Sequence, residues 1–196
     1  MNKYLEIKKL LFRYNKYGTE LTDNGTILIG HPNYLPKLWW LIQLYPKLEE
    51  NDIKVLEKEC DMPIPHQYKE FLLHFANGFD FQNGDFTLYG LRKILGRSIE
   101  ASRQPFSLKT PNRSERNLIK NVKNSFFFIG SYSWDGSRLY IDIDTHKVHL
   151  CSRYDAKSLY EWNNLEDMII SELTRLYSYY TEDGKPINEH ISNLPI

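Results

Sequence analysis

Two acids and two histidines near the end of the chain have the spacing best suited to chemistry. Asp142 and Asp144 stand two residues apart, which on a β-strand puts both carboxylates on one face, as a two-carboxylate metal site requires. Asp144, however, begins a turn, where Asp commonly bonds to its own backbone. His146 and His149 fall on opposite faces of a strand, and no Glu lies between them as a general base. A metal-dependent enzyme using Asp142, Asp144 and His146 is an alternative, but we predict no metal site.

The other reactive residue types form no catalytic motif. The two cysteines, Cys60 and Cys151, are typical of small core residues and make neither a disulfide framework nor a metal-binding set. The sequence contains no G-x-S-x-G elbow, no Walker loop and no glycine-rich phosphate cradle after a strand. We therefore predict a non-enzymatic protein with no catalytic residues and no cofactor.

Charge is unevenly distributed along the chain, although the net charge is zero. Nine lysines and arginines lie between Arg92 and Lys123, against only two acids. Proteins that hold single-stranded nucleic acid usually interleave basic residues with base-stacking aromatic rings, and Phe106 is the one aromatic residue in this segment. Nucleic-acid binding by residues 92–123 is an alternative, but a nucleic acid is not the partner that we expect.

The sequence also predicts the cellular compartment of the protein. Two cysteines suit a reducing compartment, and the N-terminal residues alternate charged with apolar types instead of forming the apolar region of a signal peptide. The longest apolar runs, near Leu38–Leu44 and Phe126–Ile129, are far too short to span a bilayer. We expect a cytoplasmic protein with no membrane partner.

The elements that must position these residues are clearest between Asp61 and Leu91. Prolines at positions 63 and 65 favour an extended entry followed by a helix start. Apolar residues then recur at helical spacing from Tyr68 to Phe75. Asn77-Gly78 ends this helix, because both residues tolerate the left-handed conformation of a C-terminal cap. Phe86–Tyr89 predicts a short strand.

The residues that precede this stretch predict three helices and a hairpin. Residues 3–16 carry apolar side chains at helical spacing, which indicates a short amphipathic helix. Asn24-Gly25 lies between two short β-prone runs and indicates a hairpin. Residues 34–45 are apolar nearly all round and indicate a buried helix. Asn51 has the position of an N-cap for a further helix.

The residues after this stretch predict an insertion, a β-meander and a final helix. Residues 97–123 contain two prolines and many polar residues, which predicts a long insertion with a short helix near 114–122. The final helix begins near Asn163, which has capping-box spacing to Glu166. Three strands are predicted between these segments. A continuous apolar run indicates a buried strand at Phe126–Gly130, alternation indicates one at Arg138–Ile143, and a turn leads into the third at Val148–Cys151.

Together these elements predict a single α+β domain in a chain of 196 residues, 41% of them hydrophobic. We expect an antiparallel or mixed sheet of about five or six strands, with helices packed on one face. Residues 1–33 form an N-terminal extension with a helix and a hairpin. Residues 34–182 form the α+β domain with its basic insertion at 97–123, and residues 183–196 form a loose C-terminal tail.

Four blocks of the sequence, in order, resemble the signature of the SUKH superfamily. This superfamily includes bacterial toxin-immunity proteins and yeast regulators of cell-wall assembly and glucan synthesis. The resemblance spans about residues 35–180, and the chain departs from it in a reduced glycine-rich loop and in the long basic insertion. The blocks are Ile53-x-x-Leu56-Glu57, Ile64-Pro65-x-x-Tyr68-x-x-Phe71-Leu72 to Asn77-Gly78, Leu88-Tyr89-Gly90-Leu91, and Phe128-Ile129-Gly130 through Trp134-Asp135-Gly136 to Tyr140-Ile141-Asp142.

The resemblance implies a protein that acts by binding another protein. It implies, first, an immunity protein that neutralises a cognate toxin domain, with a regulatory or scaffolding protein of the cell-wall type as the alternative. The superfamily shares no catalytic set, so no catalytic residue is transferred. We predict that the contact surface lies on the side that holds the helix end at Asn77–Phe81 and the loop Tyr132–Asp135, where exposed turns carry aromatic residues beside acids. The predicted partner-binding residues are Asp80, Phe81, Tyr132, Trp134 and Asp135.

Overall fold

A single antiparallel sheet of nine strands organises the computed structural model, which describes residues 3–188, 190 and 192–196. Each strand pairs with the next one along the chain, so the sheet is a continuous meander. The structure is α+β, but the prediction of about five or six strands is wrong. The strands are β1 (Thr19–Leu21), β2 (Ile27–Ile29), β3 (Ile42–Leu44), β4 (Phe79–Phe81), β5 (Phe86–Leu88), β6 (Phe126–Ser131), β7 (Arg138–Asp142), β8 (Val148–Ser152) and β9 (Asp155–Trp162).

The helices begin at capping residues close to the predicted ones. The second helix starts after Glu49, whose backbone N–H donates to the Asp52 carboxylate at 3.2 Å, and not after Asn51. The last helix is capped by Asn164, whose Oδ1 accepts from the Asp167 N–H at 2.9 Å, one residue later than predicted. The helices are α1 (Lys3–Leu11), α2 (Glu50–Cys60), α3 (His66–His74), α4 (Ile99–Ser102) and α5 (Leu165–Leu176), with shorter helical turns at Phe12–Tyr17, Thr110–Ser114, Arg116–Leu118 and Tyr177–Tyr179.

Three strands were not predicted, and two of them, β3 and β4, have only three residues each. Residues 34–45 form turns followed by β3, so the predicted buried helix is wrong. In β3 the apolar side chains of Ile42 and Leu44 are buried, whereas Gln43 between them is only half-buried. The alternation covers three residues, and the apolar residues before it hide it in the sequence. β4 and β9 were missed as well.

One face of the sheet is covered by α1, α2, α3 and α5. Tyr68 of α3 is fully buried there, and its hydroxyl donates to the backbone carbonyls of Tyr89 at 2.5 Å and Ile129 at 3.2 Å. The polar tip of this ring is therefore satisfied inside the core. The helices and strands contribute to one continuous apolar cluster, whose members include Ile7, Leu11, Ile53, Leu56, Phe71, Leu72, Phe79, Phe81, Phe127, Ile129, Met168 and Ile169.

The Asn77-Gly78 pair joins the end of α3 to the segment after β5. Asn77 accepts from the Leu91 N–H at 2.7 Å and donates to the Leu91 carbonyl at 2.9 Å. Gly78 has a φ of +85°, and a Cβ at this position would lie 2.3 Å from the Leu88 carbonyl oxygen. A Cβ on Gly90 would lie 2.2 Å from Asn77 Oδ1. These residues are therefore required for the close approach of two backbone segments.

The C-terminal residues contact α5. Arg175 donates to the Asn193 carbonyl at 2.7 Å and pairs at 2.5 Å with Glu172, which is buried. Leu194 is also buried in the main apolar cluster. Residues 193 and 194 of the segment predicted to be a loose tail are therefore attached to the core.

Candidate functional site

The face of the sheet opposite the helices carries a row of polar side chains. Directly paired residues on neighbouring antiparallel strands project to the same side, so these side chains form one line across the sheet. Side chains alternate between the two faces along a strand. Phe79 and Phe81, the neighbours of Asp80 on its strand, therefore point into the core instead. We call this side the open face. Its row, read across the paired strands, is Gln43, Asp80, Thr87, Ser131, Arg138 and Cys151.

The insertion that follows β5 covers part of the open face. Asn112 donates to the Phe128 carbonyl and accepts from the Phe128 N–H, both at 2.8 Å. β5 pairs with β6 only at Gly130 and Ser131, so the backbone of Phe128 is not bonded to β5. The Asn112 carboxamide takes the place of a neighbouring strand there. Ile119, also from the insertion, joins Phe128 and Tyr140 in a second apolar cluster on this face. The insertion is therefore packed on the sheet.

Several basic residues of the insertion are bonded to backbone carbonyls. Arg92 donates to the Ala101 carbonyl at 2.7 Å, and Arg103 donates to the Leu38 carbonyl at 2.6 Å. Arg116 likewise donates to two carbonyls, at 2.9 and 2.7 Å. Charged guanidinium donors satisfy carbonyls that an irregular segment would otherwise leave unpaired. The positive charge of these three arginines therefore holds the insertion in place.

A groove runs along the open face beside the insertion. It consists of two cavities of about 460 and 370 Å³ that share Asn83 and Phe106 in their linings, so we treat them as adjacent halves of one open-face groove. Phe106 and Trp39 are 59% and 50% exposed at its rim. The half nearer β6 includes Thr87, Ser107, Ser131, Arg138 and Arg153, and the half nearer β3 includes Trp39, Gln43, Tyr45, Asp80 and Arg103.

Arg138 is a buried cation in the half of the groove nearer β6, and its charge is balanced within the protein. Its Nη2 lies 2.6 Å from Glu115 Oε2, and its Nε donates to the Arg153 carbonyl at 3.1 Å. The guanidinium also lies 6.0 Å from the centre of the Phe128 ring. Arg138 therefore joins the insertion to the sheet.

Asp80 is the buried acid of the groove, and its charge is not balanced. The side chain is 7% exposed and accepts a hydrogen bond from Thr87 Oγ1 at 3.1 Å. The pKa of the Asp80 carboxyl is raised to about 6, chiefly by burial and in small part by the nearby Asp85, whereas hydrogen bonds from Thr87 and Gly84 act in the opposite direction. Within the described part of the chain, no ion pair includes this carboxylate.

Comparison with protein families shows which kind of protein carries this groove. The model of the SMI1/KNR4 family (SUKH-1) matches residues 47–171, which is more than half of the chain. The chain belongs to the SMI1/KNR4 family. The resemblance to the SUKH superfamily is thereby confirmed. A comparison with curated proteins finds no match.

The match to the SMI1/KNR4 family begins after β3. The first three strands of the sheet therefore lie outside the matched segment, together with Trp39 and Gln43. Asp80, Phe106 and Arg138 lie inside it. The half of the groove nearer β3 thus combines residues from the matched family segment with residues that precede it.

Two of the predicted contact residues of this SMI1/KNR4 protein are fully buried on the core side. Phe81 packs edge-on against Tyr177, with ring centres 5.2 Å apart. Tyr132 donates from its hydroxyl to Glu172 at 2.6 Å, and burial raises the pKa of this phenol. The expected exposure of both rings is corrected here, because Phe81 belongs to a strand whose alternation turns it inward. A partner that docks on this structure cannot contact either ring.

Trp134 and Asp135 are exposed in the loop between β6 and β7, and Trp134 is 47% exposed. Asp135 Oδ1 accepts from the Ser137 N–H at 2.8 Å, which shapes the loop. The residues on either side of this pair, Ser133 and Gly136, line the groove. The Ser133 N–H also donates to the Gly84 carbonyl at 3.0 Å, which ties this loop to the turn between β4 and β5. Trp134 and Asp135 thus lie in an exposed loop beside the half of the groove nearer β6, whereas Asp80 lines the half nearer β3.

The sequence analysis did not single out Trp39 and Gln43 as site residues. Both fall in the segment that was predicted to be a buried helix, so neither was considered for a surface. Phe106 did carry a signal, because it is the one aromatic residue in the basic insertion. That signal was considered only for nucleic-acid stacking.

The residues of the metal-enzyme alternative have other contacts. Asp142 Oδ1 accepts from the Asp144 N–H at 3.1 Å, a bond within the turn. The His146 N–H donates to the Asp142 carbonyl at 2.8 Å, so His146 belongs to the same turn. His149, which is not part of this alternative, has its Nδ1 2.9 Å from Ser158 Oγ, and burial lowers the pKa of its imidazole. Among the residues that the structure describes, no group of three or more His, Cys, Asp or Glu side chains could hold a metal ion.

Across residues 3–188, 190 and 192–196, no helix is both long and apolar enough to cross a membrane.

Proposed function

We propose that this SMI1/KNR4-family protein is a non-catalytic binding module that neutralises a toxin domain by direct contact through the open-face groove. The observation that carries the proposal is the pair of exposed aromatic residues, Trp39 and Phe106, in the lining of one groove, with a third, Trp134, exposed in a loop whose Ser133 and Gly136 line it. Large aromatic side chains are enriched among the residues that dominate protein–protein binding energy. Membership of the family supports the choice of a protein as the ligand.

The groove has the anatomy that such contact requires. Aromatic residues at the rim can insert into a partner, while charged and hydroxyl groups in the floor can select its orientation. A stable complex buries roughly 800 Å² on each partner, which is a larger area than the groove and would include the loop that carries Asp135. We also place the protein in the cytoplasm, since Cys60 and Cys151 are free and buried.

The alternative is a regulatory or scaffolding protein, the other role known in the superfamily. It would use the same surface for a different protein, so the residues of the groove do not separate the two functions. A toxin gene beside the gene for this chain would support the immunity function. Capture of the purified protein by a cell-wall-assembly complex would support regulation.

The proposal can be tested by co-expression with the toxin domain encoded beside this gene. We expect the wild-type chain to restore growth of cells that produce the toxin. The double variant Trp134→Ala/Asp135→Arg should fail to do so, because it removes an aromatic anchor and reverses a charge beside the groove. Thermal unfolding should show that this variant remains folded, since both side chains are exposed.

A matched control comes from the helical side of the molecule. Leu5 and Val55 are exposed on α1 and α2. The double variant Leu5→Ala/Val55→Ala should protect cells as well as the wild type does. Equal protection by a folded Trp134→Ala/Asp135→Arg variant would contradict the proposed surface.

A further inference from the structure

The half of the groove nearer β3 forms a distinct pocket of about 370 Å³. Asp80 and Gln43 lie in its lining, with aromatic side chains around them. We call this half the Asp80 pocket. It lies where the matched family segment meets the residues before it. Its aromatic members are Trp39, Trp40, Tyr45 and Phe106.

Two acceptors in the Asp80 pocket are incompletely satisfied: Asp80 has hydrogen-bond donors but no cation, and Gln43 has a buried oxygen. Within the described part of the chain, Gln43 Oε1 receives no hydrogen bond. Gln43 and Asp80 are directly opposite each other on β3 and β4, so their side chains are neighbours on the open face. A buried acceptor without a donor and a buried carboxylate without a cation are both unfavourable. A ligand that supplies a positively charged donor would relieve both.

The cations that line the pocket do not fill this role. Arg103 directs its Nη2 to the Leu38 carbonyl at 2.6 Å, and Arg92 directs its Nη2 to the Ala101 carbonyl at 2.7 Å. Neither guanidinium forms an ion pair with Asp80 within the described residues. The two arginines therefore shape the wall of the pocket.

The aromatic walls favour the same class of ligand. Trp39 and Phe106 are exposed at the mouth, and each ring face can attract a cation. We propose that the Asp80 pocket binds a lysine or arginine side chain of the protein partner, with Asp80 and Gln43 Oε1 as acceptors and the rim aromatics against its stem. This inference rests on the proposed function and names the chemistry of the contact. The raised pKa of the Asp80 carboxyl supports it, since an arriving cation would stabilise the ionised form.

The inference can be tested on the purified chain without the toxin. The probes are N-acetyl-lysinamide and N-acetyl-argininamide, with neutral N-acetyl-glutaminamide as the control, each titrated while amide and indole signals are followed by NMR. We expect saturable shifts of the Gln43 side-chain amide and the Trp39 indole with at least one cationic probe. A dissociation constant of about 1–10 mM is expected for a single contact of this kind.

Two variants make the test specific. Asp80→Asn keeps the shape of the side chain and should weaken binding of the cationic probe at least about tenfold, which corresponds to the loss of one charge partner. Asp23→Asn, which removes an exposed acid from the loop between β1 and β2, should leave the affinity unchanged. Shifts of equal size with the neutral probe, or equal affinity in Asp80→Asn, would overturn the inference.

The outcome is also distinguishable from that of the proposed function. If Asp80→Asn loses the probe but still protects cells from the toxin, the partner does not place a cation in the pocket and this inference fails alone. If both probe binding and protection are lost in the folded variant, the inference is supported.

Discussion

The two faces of the sheet differ in what their side chains require. On the helical face, Tyr68 is fully buried, its hydroxyl bonds to two carbonyls, and its ring packs on Phe71 and Phe127. On the open face, Asp80 is 7% exposed and, among the residues that the structure describes, it has no cationic partner and Gln43 Oε1 has no donor. The polar group of Tyr68 is therefore satisfied without a ligand, whereas the groups of Asp80 and Gln43 are not fully satisfied. A surface that retains such groups is a candidate for binding another molecule.

The first prediction compares aromatic residues from the two faces. Phe71 is fully buried between Tyr68 and Phe75, with ring centres 5.6 and 5.4 Å away. Phe71→Ala should lower the free energy of unfolding by about 3–5 kcal/mol, because it removes packed surface and leaves a cavity. Urea denaturation followed by circular dichroism measures this change.

Trp39→Ala is the matched variant on the open face. Half of the Trp39 side chain is exposed, so the expected change in the free energy of unfolding is below about 1 kcal/mol. If Trp39→Ala and Phe71→Ala lowered the free energy of unfolding by similar amounts, the open face would contribute to stability as the helical face does. The proposed difference between the two faces would then be wrong.

The second prediction concerns the buried acid of the open face. The pKa of Asp80 is about 6 in the folded chain and near its ordinary value of 3.8 when unfolded. Between these values the folded state binds more protons than the unfolded state, so this group lowers stability as pH rises from about 4 to 6. Asp80→Asn removes the effect, and should stabilise the chain by up to about 3 kcal/mol near pH 7.5.

The pH dependence of this gain is the diagnostic feature. The gain in stability from Asp80→Asn should shrink toward zero as pH falls to about 4 and below, where the carboxyl becomes protonated in both the folded and the unfolded state. Urea denaturation of both chains at several pH values measures it. A gain that is the same at every pH, or a loss of stability near pH 7.5, would show that Asp80 is stabilised by its surroundings.

Much of the helical face could be predicted from the sequence, because long periodic segments carry their own signal. The apolar spacing from Tyr68 to Phe75 and the stop at Asn77-Gly78 correspond to α3 and its end. The strands between residues 126 and 152 were also predicted, from an apolar run, an alternation and a turn. The sequence alone does not show why Asn77 is needed, because its two hydrogen bonds to Leu91 depend on a contact between separate segments of the chain.

The open face could not be predicted in the same way. β3 and β4 have three residues each, which is too short for alternation to be recognised. Without these strands, Phe81 was expected at the surface and Gln43 in a helix. The basic insertion was interpreted from its charge, but whether Arg92 and Arg103 face solvent or backbone carbonyls depends on how the segment folds.

The most direct test of the account measures the affinity of a candidate toxin domain for variants of the two faces by titration calorimetry. The open-face variant Trp39→Ala/Phe106→Ala should bind about 100-fold more weakly than the wild type, since each aromatic anchor is expected to contribute about 1.4 kcal/mol. The helical-face variant Leu5→Ala/Val55→Ala should bind as the wild type does. Weaker binding by the helical-face variant, with unchanged binding by the open-face variant, would contradict the claim that the open face is the binding surface.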